Sequence, residues 1–130
     1  MEKEMSDYIK YEVRVYKNGK EWYLNGKCHR EDGPACEHFC GNKAWYINGK
    51  LHRIDGPALE YANGSKFWYL NGKCHRIDGP AMEYANGTKY WYIDGIEYTE
   101  ADFKKEIAKK SKAPCEGKYN IIIQYCRNRW

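Results

Sequence analysis

The chain is poor in the residues that build ordinary cores: Val, Ile, Leu and Phe together make up about 15% of its 130 residues. A level this low often accompanies disorder. Two features exclude that outcome. Net charge is only +4, and 13 Tyr and 5 Trp stand where aliphatics are missing. Each aromatic side chain buries a large area, so a few well-spaced rings can hold a thin structure together without a thick aliphatic core.

Long apolar runs are missing too. Nothing approaches the roughly 18–20 apolar residues of a membrane span, and Met1–Lys10 is charged, without the apolar stretch of a secretory signal. The expectation is a soluble, cytoplasmic chain with no transmembrane segment, whose six Cys need not pair as disulfides. An excess of basic charge is missing from most of the length. Residues 101–130 hold eight Lys/Arg against three Asp/Glu, whereas residues 1–100 hold 14 against 15. A reader of nucleic-acid sequence carries its basic stripe on the repeated surface, so no sequence-specific nucleic-acid binding is expected. The Lys-rich run from Lys104 to Lys112 reads as a solvated helix face, with an acidic partner, RNA or an anionic membrane as the alternatives.

What is present is a strict period. Trp22, Trp45, Trp68 and Trp91 stand 23 residues apart, and each is followed by Tyr. The shared pattern is W-Y-x-[ND]-G, then x-x-H-R-x-D-G-P-A, then x-E-[YH]-x-x-G. The fourth copy keeps Trp91, Tyr92, Asp94 and Gly95 before diverging, which marks a capping unit; residues 11–19 supply a preceding half-unit. Asn25-Gly26, Asn48-Gly49, Asn71-Gly72 and Asp94-Gly95 each follow an aromatic–aliphatic run, a strong two-residue hairpin signal. Such a turn at Asn71-Gly72 puts Trp68 across from His75 and Tyr69 across from Cys74.

Identical slots need identical environments, so neighbouring units are related by translation and each contains an even number of reversals. Three turn signals occur per unit, and Asp-Gly-Pro is the one expected not to reverse the chain, because Pro in a strand sits at bulges or edges. Each unit then advances by two strands, roughly 10 Å. The expected fold is mainly all-β: an elongated, single-layer antiparallel sheet of tandem hairpins over residues 1–98. Residues 99–130 form a cap, with a Thr99–Asp102 helix start, Phe103, Ile107 and Ala108 on one face, a break to Gly117 and a final strand at Tyr119–Cys126.

The repeats resemble variants of the MORN (membrane occupation and recognition nexus) class, and the string W-Y-[LI]-N-G-K-x-H-R-x-D-G-P-A is similar to repeats in proteins of large-genome phages and giant viruses. The resemblance covers about residues 11–98. It implies tandem hairpins and, with a viral origin, residence in host cytoplasm. The His-Arg-x-Asp-Gly-Pro half departs from the usual MORN unit, so no lipid or partner is carried over.

Three groups of residues carry the candidate chemistry. The array His29-Arg30-x-Asp32, His52-Arg53-x-Asp55 and His75-Arg76-x-Asp78 reads structurally as Arg holding the Asp-Gly-Pro corner while His packs on the opposing Trp. Functionally it reads as a ladder of donors for phosphate-bearing ligands. Its likeness to a kinase catalytic loop is chance, with no Gly-rich loop beside it. The Trp-Tyr dipeptides face opposite sides of the sheet, and one set is expected to form an interaction surface. Cys28, His29, Cys36, His38 and Cys40 are five candidate metal ligands within 13 residues. Against this, Cys28 fills the slot of Leu51 and Cys74, and Cys36 that of Leu59 and Met82, so both read as packing residues and no metal is expected.

No unique nucleophile or carboxylate pair stands out, so neither an enzyme nor a cofactor is expected. The reading is a non-enzymatic binding protein whose partner is a protein, a host macromolecule if the origin is viral. The alternative is sequestration of a small phosphate-bearing or nucleotide ligand, antagonising a host defence. The binding residues are expected to be Arg53, Arg76, His52, His75, Trp45, Trp68, Tyr46 and Tyr69. Homo-oligomer formation is left open.

Overall fold

The computed structural model describes residues 10–112. The expected final strand at Tyr119–Cys126 and the break before it lie outside the described residues.

Over the described residues the fold is an open, mainly β, antiparallel sheet followed by a helix. It starts at the strand Glu12–Tyr16, which pairs along its whole length with Gly19–Leu24. From there the sheet advances two short strands per unit: Cys36–His38 and Lys43–Ala44, then Leu59–Glu60 and Lys66–Phe67, then Met82–Glu83 and Lys89–Ile93. The hairpin arms Tyr46–Ile47/Lys50–Leu51 and Tyr69–Leu70/Lys73–Cys74 branch from this path as two-stranded extensions.

The hairpin turns are the tight kind that Asn-Gly encodes. In all four, both central residues have positive φ, for example Asn71 at 51° and Gly72 at 81°. That is the type I′ pattern, which matches the twist of the flanking strands. The register follows from it: Tyr69 pairs with Cys74, and the His75 N–H donates to the Trp68 carbonyl at 3.0 Å.

The backbone bonds of each repeat tryptophan show how each unit returns. The Trp68 N–H donates to the Ala81 carbonyl at 2.8 Å while the Trp68 carbonyl accepts from His75. One tryptophan therefore faces both ends of the segment His75–Ala81, and residues 76–80 are extruded opposite it. This is a large bulge in one strand line, not a reversal. The same pair of bonds, at the same 3.0 and 2.8 Å, recurs at Trp22 with His29 and Ala35, and at Trp45 with His52 and Ala58. Ala35, Ala58 and Ala81, where the bulge rejoins the strand, are all fully buried.

Packing is thin. Among the described residues, an apolar cluster unites Trp68, Cys74 and Ala81 with the partly buried Tyr69, Met82 and Tyr92. At the C-terminal end, the helix Glu100–Lys112 lies against the last hairpin, Lys89–Ile93 with Ile96–Tyr98. Thr99 caps it through its hydroxyl, which accepts from the Asp102 N–H at 3.1 Å. Phe103 is buried and Ile107 half-buried, as the helical period requires, but Ala108 is exposed. No helix among the described residues is long and apolar enough to cross a membrane.

Candidate functional site

The His-Arg-x-Asp arrays are built from the bulge upward. In the second unit, Arg53 lays its guanidinium over the Trp45 ring, 3.8 Å from the centroid. Its Nε donates to Asp55 at 3.2 Å, and one Nη donates to the Pro57 carbonyl at 3.1 Å and to Glu60 at 2.9 Å. Arg30 repeats this with Trp22, Asp32, Pro34 and Glu37, and Arg76 with Trp68, Asp78, Pro80 and Glu83. The opposite face of each guanidinium presses on the bulge glycine. A Cβ at Gly56 would stand 2.9 Å from the Arg53 Cζ, and at Gly33 or Gly79 3.0 Å from the corresponding arginine. Each arginine is thus sandwiched between an indole and a glycine backbone, which accounts for the Arg-x-x-Gly spacing. The expected Arg–Asp pairing at the corner is present, and the same guanidinium also covers the indole face, because the long cation reaches over the ring.

The histidines perform a different task. Nδ1 of His29, His52 and His75 accepts the backbone N–H of Asn48, Asn71 and Asp94 at 2.9, 3.0 and 2.9 Å. Each imidazole therefore holds the turn of the following unit. Two backbone bonds run alongside. The Arg53 N–H donates to the Tyr69 carbonyl at 3.1 Å, and the Gly72 N–H to the Leu51 carbonyl at 2.8 Å, and both recur at each junction. Accepting at Nδ1 requires a neutral ring there. Burial lowers the pKa of His52, and burial also lowers that of His75, opposed by Asp94 and assisted by Lys110.

On the other side of the unit the second turn is clamped similarly: the Asn42 side-chain oxygen accepts from the Ala62 N–H at 2.8 Å, and Ser65 Oγ from the Ala85 N–H at 2.9 Å. Beside these turns runs a row of rings in edge-to-face contact. Tyr61 meets Phe67 at 5.5 Å between centroids, Phe67 meets Tyr84 at 5.1 Å, and Tyr84 meets Tyr90 at 5.9 Å. Three of the four remain well exposed, Tyr61, Tyr84 and Tyr90 at 38–39%. In the first unit Ala44 takes the slot of Phe67 and Tyr90, and His38 that of Tyr61 and Tyr84. The row therefore ends in a hollow of about 300 Å³, whose walls include Cys36, Ala44, Tyr46, Leu59 and Tyr61.

Of the residues singled out from the sequence, Trp45, His52 and Arg53 come together with Arg30 and Asp32 around an open cleft of about 610 Å³ between the first two bulges. Tyr46 borders the hollow instead, and Trp68 and Tyr69 belong to the apolar cluster. His75 and Arg76 are engaged in the third bulge. The cleft does not carry net positive charge, since Glu31, Asp32 and Asp55 line it with the two arginines. Among the described residues, no three His, Cys, Asp or Glu side chains are grouped so as to hold a metal ion.

Sequence reasoning missed the clamp glutamates and the ring row. Glu37, Glu60 and Glu83 complete the arginine clamps, a role visible only as a Glu recurring every 23 residues. The ring row comes from slots that are aromatic in two units and not in the first. Comparison of the chain with protein-family models, with curated proteins and with solved structures gives no match.

Proposed function

We propose that this is a non-enzymatic interaction protein, in which the His-Arg-x-Asp-Gly-Pro arrays are scaffold and the exposed ring row docks a protein partner. The observation that carries the reading is the row Tyr61–Phe67–Tyr84–Tyr90 leading into the hollow beside Ala44. Tyrosine-rich strips beside a pocket are the usual composition of interface centres, where a partner's apolar side chain is anchored. The polar residues of the arrays, by contrast, are committed to clamps inside and between the units. We extend the MORN-like resemblance to the type of repeat alone.

The small-ligand alternative would use the cleft between Arg30 and Arg53. Three carboxylates on its walls oppose an anionic ligand, so the ring row is preferred. The test compares the tagged full chain with a Tyr61→Gln/Tyr84→Gln variant, using native mass spectrometry of material captured from extract. The reading expects a bound protein mass that the variant loses while it remains folded at the assay temperature. A small bound mass kept equally by both would contradict it and move binding to the cleft.

A further inference from the structure

Cys28 and Cys36 lie eight residues apart, on either side of the first extruded bulge. Cys28 pairs with Tyr23 and Cys36 with Glu21, so the bulge brings the two onto one strand line facing the same partner strand. Their Sγ atoms are 3.5 Å apart, in van der Waals contact, and both side chains are half-buried. In the other units the same two slots hold Leu51 with Leu59 and Cys74 with Met82, which cannot cross-link. Among the described residues the fold therefore creates one such dithiol, in the first unit.

We propose that Cys28 and Cys36 form an oxidisable pair, a modification site that closes to a disulfide across the first bulge when a hydroperoxide is the oxidant. The thiolate of Cys28 attacks one peroxide oxygen; the O–O bond breaks, hydroxide leaves and takes up a proton as water, and Cys28 becomes a sulfenic acid. The Cys36 sulfur then attacks the Cys28 sulfur, the S–O bond breaks, and the departing hydroxide takes the Cys36 proton to leave as a second water. Two thiols and one hydrogen peroxide give one disulfide and two waters. Either thiol can donate to the other across this contact; with the Cys36 S–H as donor, ionisation of Cys28 is eased and that of Cys36 hindered. Closure needs an approach of roughly 1.5 Å to reach the ordinary S–S bond length. Cys36 also lines the hollow, so the bond would reshape the end of the ring row, but its formation does not depend on any partner.

The experiment treats the reduced full chain with stoichiometric hydrogen peroxide, blocks remaining thiols, and maps tryptic peptides by mass spectrometry. The expected product links the peptide beginning at Cys28 to the one containing Cys36, and it persists in a Cys40→Ser variant. Oxidation is expected to raise the melting temperature by roughly 5–10 °C, from cross-linking a short loop. In Cys36→Ser, Cys28 should be trapped as the sulfenic acid by a cyclic diketone. Linkage of either cysteine to Cys40 instead, or Cys28 and Cys36 both remaining free after another thiol has been consumed, would overturn the proposal.

Discussion

If each arginine is held between an indole and a glycine, the glycine is required only because the arginine is there. Gly56→Ala tests this with a change of sign. The φ of Gly56 is not in the positive region, so alanine fits its backbone without strain. In the native chain the new Cβ would stand 2.9 Å from the Arg53 Cζ, and the guanidinium must leave its place. At risk are a partly buried cation–π contact of about 1 kcal/mol and a charge-assisted bond to the Pro57 carbonyl of about 1.5 kcal/mol. The ion pairs to Asp55 and Glu60 add only about 0.3 kcal/mol each, because the acids are partly solvated. Partial displacement should cost about 1–2 kcal/mol net. In an Arg53→Ala background the same Gly56→Ala change should be neutral or stabilise by about 0.4–1 kcal/mol, through the reduced freedom of the unfolded chain. Urea unfolding of the four proteins, followed by circular dichroism and tryptophan fluorescence, gives the coupling. Additive effects, with Gly56→Ala equally harmful in both backgrounds, would refute the sandwich.

Two further outcomes follow from the junctions. Because burial lowers the pKa of His52 and His75 below the ordinary 6.5, the unfolded chain binds more protons than the folded one just below that pH. Stability is then fully present above about pH 6.5 and falls as pH drops through it toward the folded values; melting temperatures between pH 5.5 and 7.5 should show this slope, and His52→Gln/His75→Gln should flatten it. An unchanged slope in that variant would remove the histidines from the account. Asn71 holds φ at 51°, so Asn71→Gly should be nearly neutral while Asn71→Ala should cost about 1 kcal/mol, both read by urea midpoints; equal costs would exclude a turn-conformation origin.

The repeat, the hairpin turns and the non-reversing Asp-Gly-Pro segment were legible because each is local chemistry: Asn-Gly fixes a type I′ turn, and the turn fixes that Trp68 faces His75. The helix start at Thr99 was legible for the same reason. The division of labour between His and Arg was not. Sequence adjacency set His against Trp, but the extruded bulge carries Arg back over the ring and leaves Nδ1 of His aimed at the next unit. The nearness of Cys28 to Cys36 was hidden likewise, since it depends on where the bulge rejoins the strand. The ring row escaped notice because it is assembled across units, from Tyr61 and Tyr84 in one slot and Phe67 and Tyr90 in another, and no single repeat displays it.

The central claim is that the repeated polar residues hold the sheet together and the exposed rings bind. It is tested most directly by measuring melting temperature and partner capture together for Arg53→Ala, Arg76→Ala, Lys109→Ala and Tyr61→Gln/Tyr84→Gln. The account predicts that the arginine variants melt lower by at least the roughly 4–8 °C that about 1 kcal/mol produces in a domain of about 100 residues. The lysine variant should melt and bind as the native chain does. The tyrosine variant gives up three ring contacts but should remain folded at the assay temperature and lose its partner. Arginine variants that melt normally but no longer bind, beside a tyrosine variant that binds normally, would contradict it and return the site to Arg53 and Arg76.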